Sequence, residues 1–356
     1  MTFILFILYW LSAEALSVDS EFQSLADNAI RPWVSAHSGH KLFSEHDVEE
    51  LVVGNAINGI RVTICKGKII VNKNGSLNPG LHTRRDCALD ILHHVDFSNI
   101  TQNIDFFLNF SDGPLIQLKP MTYRDMLPMF AYSSRVGFAD LAFTTYCTYR
   151  ELHVYKHAFY PWHDRKDSFA VWRGGTTGGI YTVENWKSFR RSKLVLMSKD
   201  NPEYLDAKFI SCNECSPDAW EAIVSEVGHG EMIDVKTFKY VIDVDGNGWS
   251  SRFINHLAEG ILIFKQESEY NEFFIGLLTP WIHYVPIKSD LSDLIEHIQY
   301  AKAHDDEMRE IAENAKSFAN NFLFDNRFQL YTYYLLRNYA SLFEDNYTPK
   351  VCMDSE

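Results

Sequence analysis

Residues 240–264 read YVIDVDGNGWSSRFINHLAEGILIF, and this stretch decides the fold class. Tyr240–Val244 is a short, β-branched, largely apolar run of the kind that forms a buried strand. Asp245-Gly246-Asn247-Gly248 breaks it, because Gly and Asn tolerate the backbone angles of a tight turn. Ser250 or Ser251 is placed to cap a helix over Arg252–Glu259. After Gly260 a second apolar run begins, Ile261–Phe264. Strand, Gly turn, helix, strand is the unit with which α/β proteins bind nucleotides. Small residues let a diphosphate approach the backbone, N–H groups at the helix start face it, and Arg252 adds a fork of donors. An ordinary βαβ crossover carries the same pattern, so the local sequence leaves both readings open.

Working outward, Ser168–Gly179 (SFAVWRGGTTGG) predicts a strand over Phe169–Trp172, then Arg173 ahead of a Gly/Thr loop. N–H groups, hydroxyls and a guanidinium in one loop suit an anionic or sugar ligand; a plain turn is the alternative. Trp186–Ser198 reads as helical, with Arg190 and Arg191 in its middle, where a solvated charge is the usual fate of Arg. Further upstream, Ile104–Phe110 predicts a buried strand ending at Ser111-Asp112-Gly113-Pro114. An Asp just past the carboxyl end of an α/β strand sits where such folds place ligands. On pattern alone, an Asp that starts a turn before Pro is the commoner explanation.

The remaining pattern is that of a mixed α/β chain. Ile60–Val71 predicts two strands around Lys66-Gly67. Helices are expected over Glu21–Ala29, Ala88–His94 and Asp218–Val227, the last with Trp220, Ile223 and Val227 on one face. Leu291–Phe322 predicts two helices broken at Asp305-Asp306, and Phe328–Phe343 a largely buried one. Tyr146–Tyr160 is crowded with aromatics, as a core segment or a ligand-lining run would be. His153, His157 and His163 lack the spacing of a metal-binding helix.

With 356 residues, 46% of them hydrophobic, the chain is long enough for two domains with sizeable cores. Its 33 basic and 47 acidic residues give a net charge of -14, which argues against a general nucleic-acid binder. The apolar run Phe3–Leu11 followed by Ala13-Glu14-Ala15 has the form of a signal peptide and is short for a membrane span. A cleaved signal or an uncleaved anchor is therefore expected over residues 1–17, the one expected route to a membrane. Six cysteines fit an oxidising compartment, with pairing not readable from spacing. Cys212-Asn-Glu-Cys215 has no second CxxC or His pair at zinc spacing, so a disulfide is expected there. Sequons at Asn74, Asn99, Asn109 and Asn346 agree with a secretory route.

Three segments carry a resemblance: FAVWRGGTTG from Phe169, KYVIDVDGNGWSSRF from Lys239, and PWIHYVPIKSDLSD from Pro280. In this order they resemble family 90 glycosyltransferases, which include Rumi-type protein O-glucosyltransferases and fungal capsule-associated xylosyltransferases. The likeness runs from about Asp105 to Phe322. It implies an α/β, GT-B-like fold of two Rossmann-like domains facing a central cleft. The expected organisation is an acceptor-side domain over 18–163, a nucleotide-sugar-binding domain over 164–325 and a C-terminal helix and tail over 326–356, with the boundary near Pro161–Asp167.

The resemblance also implies inverting transfer of glucose or xylose from UDP-glucose or UDP-xylose to a hydroxyl of a protein or polysaccharide, with no cofactor and no essential metal. The implied general base is Asp112. Donor binding would fall to Arg173, Gly174, Thr176, Arg191 and the loop Asn247, Gly248, Trp249, Ser250, Ser251 and Arg252. The residue types suit the chemistry. A carboxylate, with a reference pKa of ~3.9, is ionised at neutral pH and takes the acceptor proton. Arg forks stabilise the negative charge growing on the departing diphosphate. The implied location is the lumen of the secretory pathway, endoplasmic reticulum or Golgi, or outside the cell. The Gly/Thr loop after Arg173 departs from the animal protein glucosyltransferases, which leaves the acceptor open. A catalytically inactive member that binds glycans or proteins with the same fold is the alternative. Asn109 lies close to Asp112 and is expected to carry no glycan.

Overall fold

A computed structural model describes residues 2–37, 43–55, 58–72, 77–144, 160–324, 327–344 and 346–353. The chain forms two compact units. One comprises Met1–Tyr149, Tyr270–Gly276 and Asn321–Glu356; the other comprises Arg150–Glu269 and Leu277–Asn320. Most of the aromatic run Tyr146–Tyr160, with His153 and His157, lies outside the described residues, as does Asn74.

In the first unit, β1 (Gly59–Cys65) and β2 (Lys68–Asn72) form the expected hairpin. Lys66 and Gly67 both have positive φ, 48° and 83°, the geometry that matches the twist of a two-residue hairpin. β3 (Ile104–Asn109) is buried along its whole length and pairs antiparallel with β1. β4 (Phe130–Ala131) and β6 (Leu141–Ala142) continue the sheet in parallel, while β5 (Ser134–Arg135) stands apart. The order is β2-β1-β3-β4-β6. This sheet is mixed, parallel from β3 to β6 and antiparallel at its hairpin edge, which is compatible with the Rossmann-like α/β class expected.

The helix expected over Glu21–Ala29 is part of a longer one, Thr2–His37. Its buried residues Phe22, Ala26, Ile30 and Trp33 fall at helical spacing on one face. Phe22 packs against Tyr331 of the helix Arg327–Ala340. Among the described residues no helix is long and apolar enough to cross a membrane. Asp105 is fully buried and is satisfied by Arg61, by Thr63 and by Tyr347 (2.8 Å), as a buried carboxylate must be. The Cys65–Cys352 disulfide ties the tail that carries Tyr347 to β1.

The second unit holds β7 (Ala170–Gly175), β8 (Leu205–Ser211), β9 (Tyr240–Asp243) and β10 (Leu262–Gln266). The chain then contributes β11 (Tyr270–Asn271) to the first unit, antiparallel to β5, and returns with β12 (Val285–Ile287). The sheet order is β12-β10-β9-β7-β8, and every pair is parallel. The strand, turn, helix and strand read from residues 240–264 are all present, with Tyr240 in register with Leu262. Chain order runs outward in opposite directions from the β7/β9 pair. That pair is a topological switch point, and ligands of doubly wound sheets bind beyond the carboxyl ends of the strands that flank it.

Two local expectations are corrected. The helix after β9 is Phe253–Glu259, and neither Ser250 nor Ser251 caps it; Arg252 is the N-cap, without a side-chain bond. Ser250 instead donates to the Asp243 carboxylate, which is buried at the end of β9 and needs donors. β7 continues through Gly175, so Arg173 stands within the strand rather than after it.

Candidate functional site

Two loops leave the switch point, Thr176–Ile180 after β7 and Val244–Arg252 after β9. They are stitched together by Asn247. Its Oδ1 accepts from the Gly178 backbone N–H (2.6 Å), and its Nδ2 donates to Glu214 (2.6 Å). Close approach explains the small residues. A Cβ on Gly174 would lie 2.5 Å from the Trp172 ring, and one on Gly246 would lie 2.9 Å from both Arg191 and Thr177. Thr176 is fully buried, and its Oγ1 accepts from the Asn213 N–H (2.9 Å). Gly248 closes a turn by accepting from the Gly246 N–H (3.1 Å), Trp249 is half-buried, and Ser251 is exposed.

The predicted arginines divide into two kinds. Arg173 is buried and committed to the protein: it donates to Asp206 Oδ2 (2.7 Å) and to the carbonyls of Asp206, Trp172 and Glu231. Arg191 and Arg252 are different. Both guanidiniums lie beside the buried indole of Trp172, 5.5 and 5.8 Å from its ring centre. Arg191 donates to the carbonyls of Asp245 (3.0 Å) and Gly175 (2.9 Å), and Arg252 donates to the carbonyl of Arg173. Among the described residues neither has a carboxylate within ion-pair distance. Burial, and then the positive charge of Arg252, pushes Arg191 down to about 10. Burial likewise lowers Arg252. Asp243 and Asp245, the nearest buried carboxylates, are bound by Ser250 and Lys265 and by Ser268 and Arg190. Both half-buried cations feel the attraction of Asp243, and Arg191 also that of Asp245, without an ion pair to either carboxylate, a setting that suits an added anion.

In the first unit, Asp112 stands past the end of β3 with its side chain 45% exposed. Arg84, from the helix His82–His94, donates to Asp112 Oδ1 (2.6 Å) and to the Phe110 carbonyl (2.7 Å). The loop is held on both sides. Asn109 bonds Ser111 and Gly113, and Asp140 accepts from the N–H groups of Leu115 (2.9 Å) and Ile116 (2.7 Å). The ring of Tyr270 lies 3.6 Å from where a Cβ of Gly113 would be. The carboxylate is thus accessible on a loop fixed by buried polar contacts.

The family model for glycosyl transferase family 90 matches residues 37–355. The chain belongs to this family. It is 30% identical over 250 residues to protein O-glucosyltransferase 3 of Rattus norvegicus, covering 67% of this chain and 47% of that one. It is 28% identical over 271 residues to protein O-glucosyltransferase 1 of Homo sapiens, covering 69% and 64%. Protein O-glucosyltransferase 2 of Danio rerio is 30% identical over 253 residues, covering 67% and 48%. The matches thus span about half to under two thirds of the length of these relatives.

Several residues that support the loops of each unit carried no sequence signal. Arg84 sits in a stretch that reads as a loop, and Asp140 in one that reads as apolar. Glu214 lies in the CxxC turn, whose cysteines form the expected disulfide. The sequon at Asn109 has a clear structural outcome. Its side chain is buried, 2% exposed, and its amide nitrogen donates to Gly113 (3.0 Å). Glycopeptide mapping is expected to find Asn109 bare, with occupancy confined to accessible sequons such as Asn99 and Asn346, both exposed. High occupancy at Asn109 in active protein would contradict the loop geometry.

Asp140 makes this family 90 loop sensitive to pH. Burial pushes its carboxyl up to about 6 from 3.8, against the two N–H bonds that favour the charged form. The folded state therefore holds the proton more tightly than the unfolded chain. The contribution of Asp140 to stability is fully present below about pH 4 and declines as pH rises through about 6. Urea unfolding should show the advantage of wild type over Asp140→Asn shrinking between about pH 4 and about pH 7, by on the order of 2–3 kcal/mol. An advantage that grows with pH would reverse this assignment.

Proposed function

We propose that this family 90 chain is an inverting glycosyltransferase that moves a sugar, the hexose glucose in the first instance and the pentose xylose as the second choice, from a UDP-sugar to a hydroxyl of a protein or glycan. The observation that carries the reading is the Arg191–Arg252 pair at the β7/β9 switch point, two cations beside one indole that, among the described residues, make no direct ion pair with a carboxylate. A diphosphate supplies the missing negative charge. As the bond from the sugar to the diphosphate breaks, charge accumulates on the leaving oxygen, and fixed guanidiniums stabilise that charge best. This role needs no bound metal ion. Arg173 acts here by holding β7 to β8 and by presenting its carbonyl to Arg252.

Asp112 is the proposed base. Its carboxylate takes the proton of the acceptor hydroxyl as that oxygen attacks the anomeric carbon from the face opposite the departing UDP, which inverts the configuration. Arg84 fixes the orientation of the carboxylate. The protein O-glucosyltransferase relatives favour a protein acceptor. The disulfides and exposed sequons favour a site of action in the lumen of the secretory pathway.

The test is release of UDP from UDP-glucose and from UDP-xylose by the purified chain, alone and with candidate acceptors, beside isothermal titration with UDP. Turnover with UDP-glucose and micromolar UDP binding are expected. Failure to bind UDP would remove the donor-site reading, and binding without turnover against any acceptor would leave a binding protein.

A further inference from the structure

We propose that Glu214 is a positioning residue of this anion site and that the Cys212–Cys215 disulfide holds it in place. The inference rests on the reading of the switch point as the donor site. Glu214 touches both loops that leave the sheet there. Its backbone N–H donates to the Thr176 carbonyl (3.0 Å), and its own carbonyl accepts from the Tyr181 N–H (2.7 Å), so the loop after β7 is pinned at each end. Its carboxylate accepts from Asn247 Nδ2 (2.6 Å), and Asn247 Oδ1 in turn accepts from the Gly178 N–H (2.6 Å). One residue therefore sets the spacing of the Gly/Thr loop against the Gly246–Gly248 turn.

The chain around Glu214 is built to hold it. Cys212 and Cys215 close a short ring with Asn213 and Glu214 inside it. Asn213 anchors the ring to Thr176 Oγ1 (2.9 Å), and Tyr181 ties the far end of the loop to the Thr177 carbonyl through its hydroxyl (3.0 Å). Gly178 has φ +95°, a backbone conformation that glycine adopts without strain. The disulfide lies on the surface, with Cys212 exposed. The CxxC pair thus has a function without zinc or catalytic redox chemistry: it fixes the hinge from which Glu214 reaches Asn247.

Glu214→Ala and Glu214→Gln in the full chain test this, with amide hydrogen exchange at Gly178 and UDP titration as separate readouts. Gln offers the same acceptor to Asn247, so it should restore what Ala loses. Glu214→Ala is expected to speed exchange at Gly178 about tenfold or more, weaken UDP about tenfold and raise KM for the sugar nucleotide by a similar factor with kcat little changed. Glu214→Gln should stay within about threefold of wild type on each. Cys212→Ser with Cys215→Ser should move the same readouts in the direction of Glu214→Ala. Unchanged exchange at Gly178 in Glu214→Ala would overturn the proposal, as would a Gln variant as impaired as the Ala variant. If wild type itself does not bind UDP, the donor-site reading fails while the exchange data still decide whether Glu214 sets the loop.

Discussion

Asp112→Asn is expected to lower the rate of sugar transfer about 10²–10⁴-fold, the range in which a positioned general base contributes. UDP affinity should stay within about twofold. The substitution keeps the shape of the side chain and an oxygen that can accept from Arg84, so the contact seen at 2.6 Å can persist. What it removes is the capacity to take a proton. The loop has little reason to move, because its anchors are elsewhere: Asn109 on Gly113, Arg84 on the Phe110 carbonyl, and Asp140 on Leu115 and Ile116. Loss of kcat with an intact UDP titration would therefore report chemistry rather than folding. Single-turnover transfer with labelled UDP-glucose separates the two. Should Asp112→Asn transfer sugar within about threefold of wild type, Asp112 is not the base and another carboxylate must be sought.

The sequence was legible where local chemistry and tertiary packing agree. Tyr240–Phe264 gave its strands and helix because a buried parallel strand is apolar along most of its length and a turn at a switch point must be small. The hairpin at Lys66-Gly67 and the buried strand before Asp112 were legible for similar reasons. β8 was not. Leu205–Ser211 alternates buried and partly exposed residues at the edge of its sheet, so Asp206 and Lys208 interrupt the apolar run. Nor was the return of Tyr270–Gly276 to the first unit, which rests on a two-residue pairing with Ser134–Arg135. The helix cap was misread because Ser250 serves the buried Asp243 at the end of β9, a demand for a buried donor that outweighs the local capping preference. Within the site, motif positions such as Arg191 and Arg252 were visible from the family resemblance. Their supports were not. Arg84, Asp140 and Glu214 act through contacts far apart in sequence, 28 positions for Arg84 to Asp112, 25 and 24 for Asp140 to Leu115 and Ile116, and 33 for Asn247 to Glu214.

Arg252→Met should separate donor binding from folding more sharply than any other change. In the unliganded protein Arg252 contributes a half-buried charge that lowers Arg191 through repulsion, and its hydrogen bond is to the Arg173 carbonyl. Met fills a similar volume against Trp172 without that charge. The melting temperature of the free protein is therefore expected to change little, since relief of the buried charge and of its repulsion of Arg191 offsets the lost hydrogen bond and the lost attraction to Asp243. The ligand-bound comparison should be large. With UDP at about 100 times its wild-type Kd, mass action stabilises wild type by about 2.7 kcal/mol. Most of that gain should vanish in Arg252→Met. Transfer should fall about 10²–10³-fold in kcat, because the lost cation acts most strongly on charge that appears as the diphosphate departs. Arg191→Met should share the functional loss but also melt earlier, since Arg191 ties the Asp245 and Gly175 carbonyls together. Thermal unfolding with and without UDP, read beside kcat, checks both variants. A UDP-induced shift that survives Arg252→Met undiminished would mean that the diphosphate binds elsewhere, and the two guanidiniums beside Trp172 would need a different counter-ion.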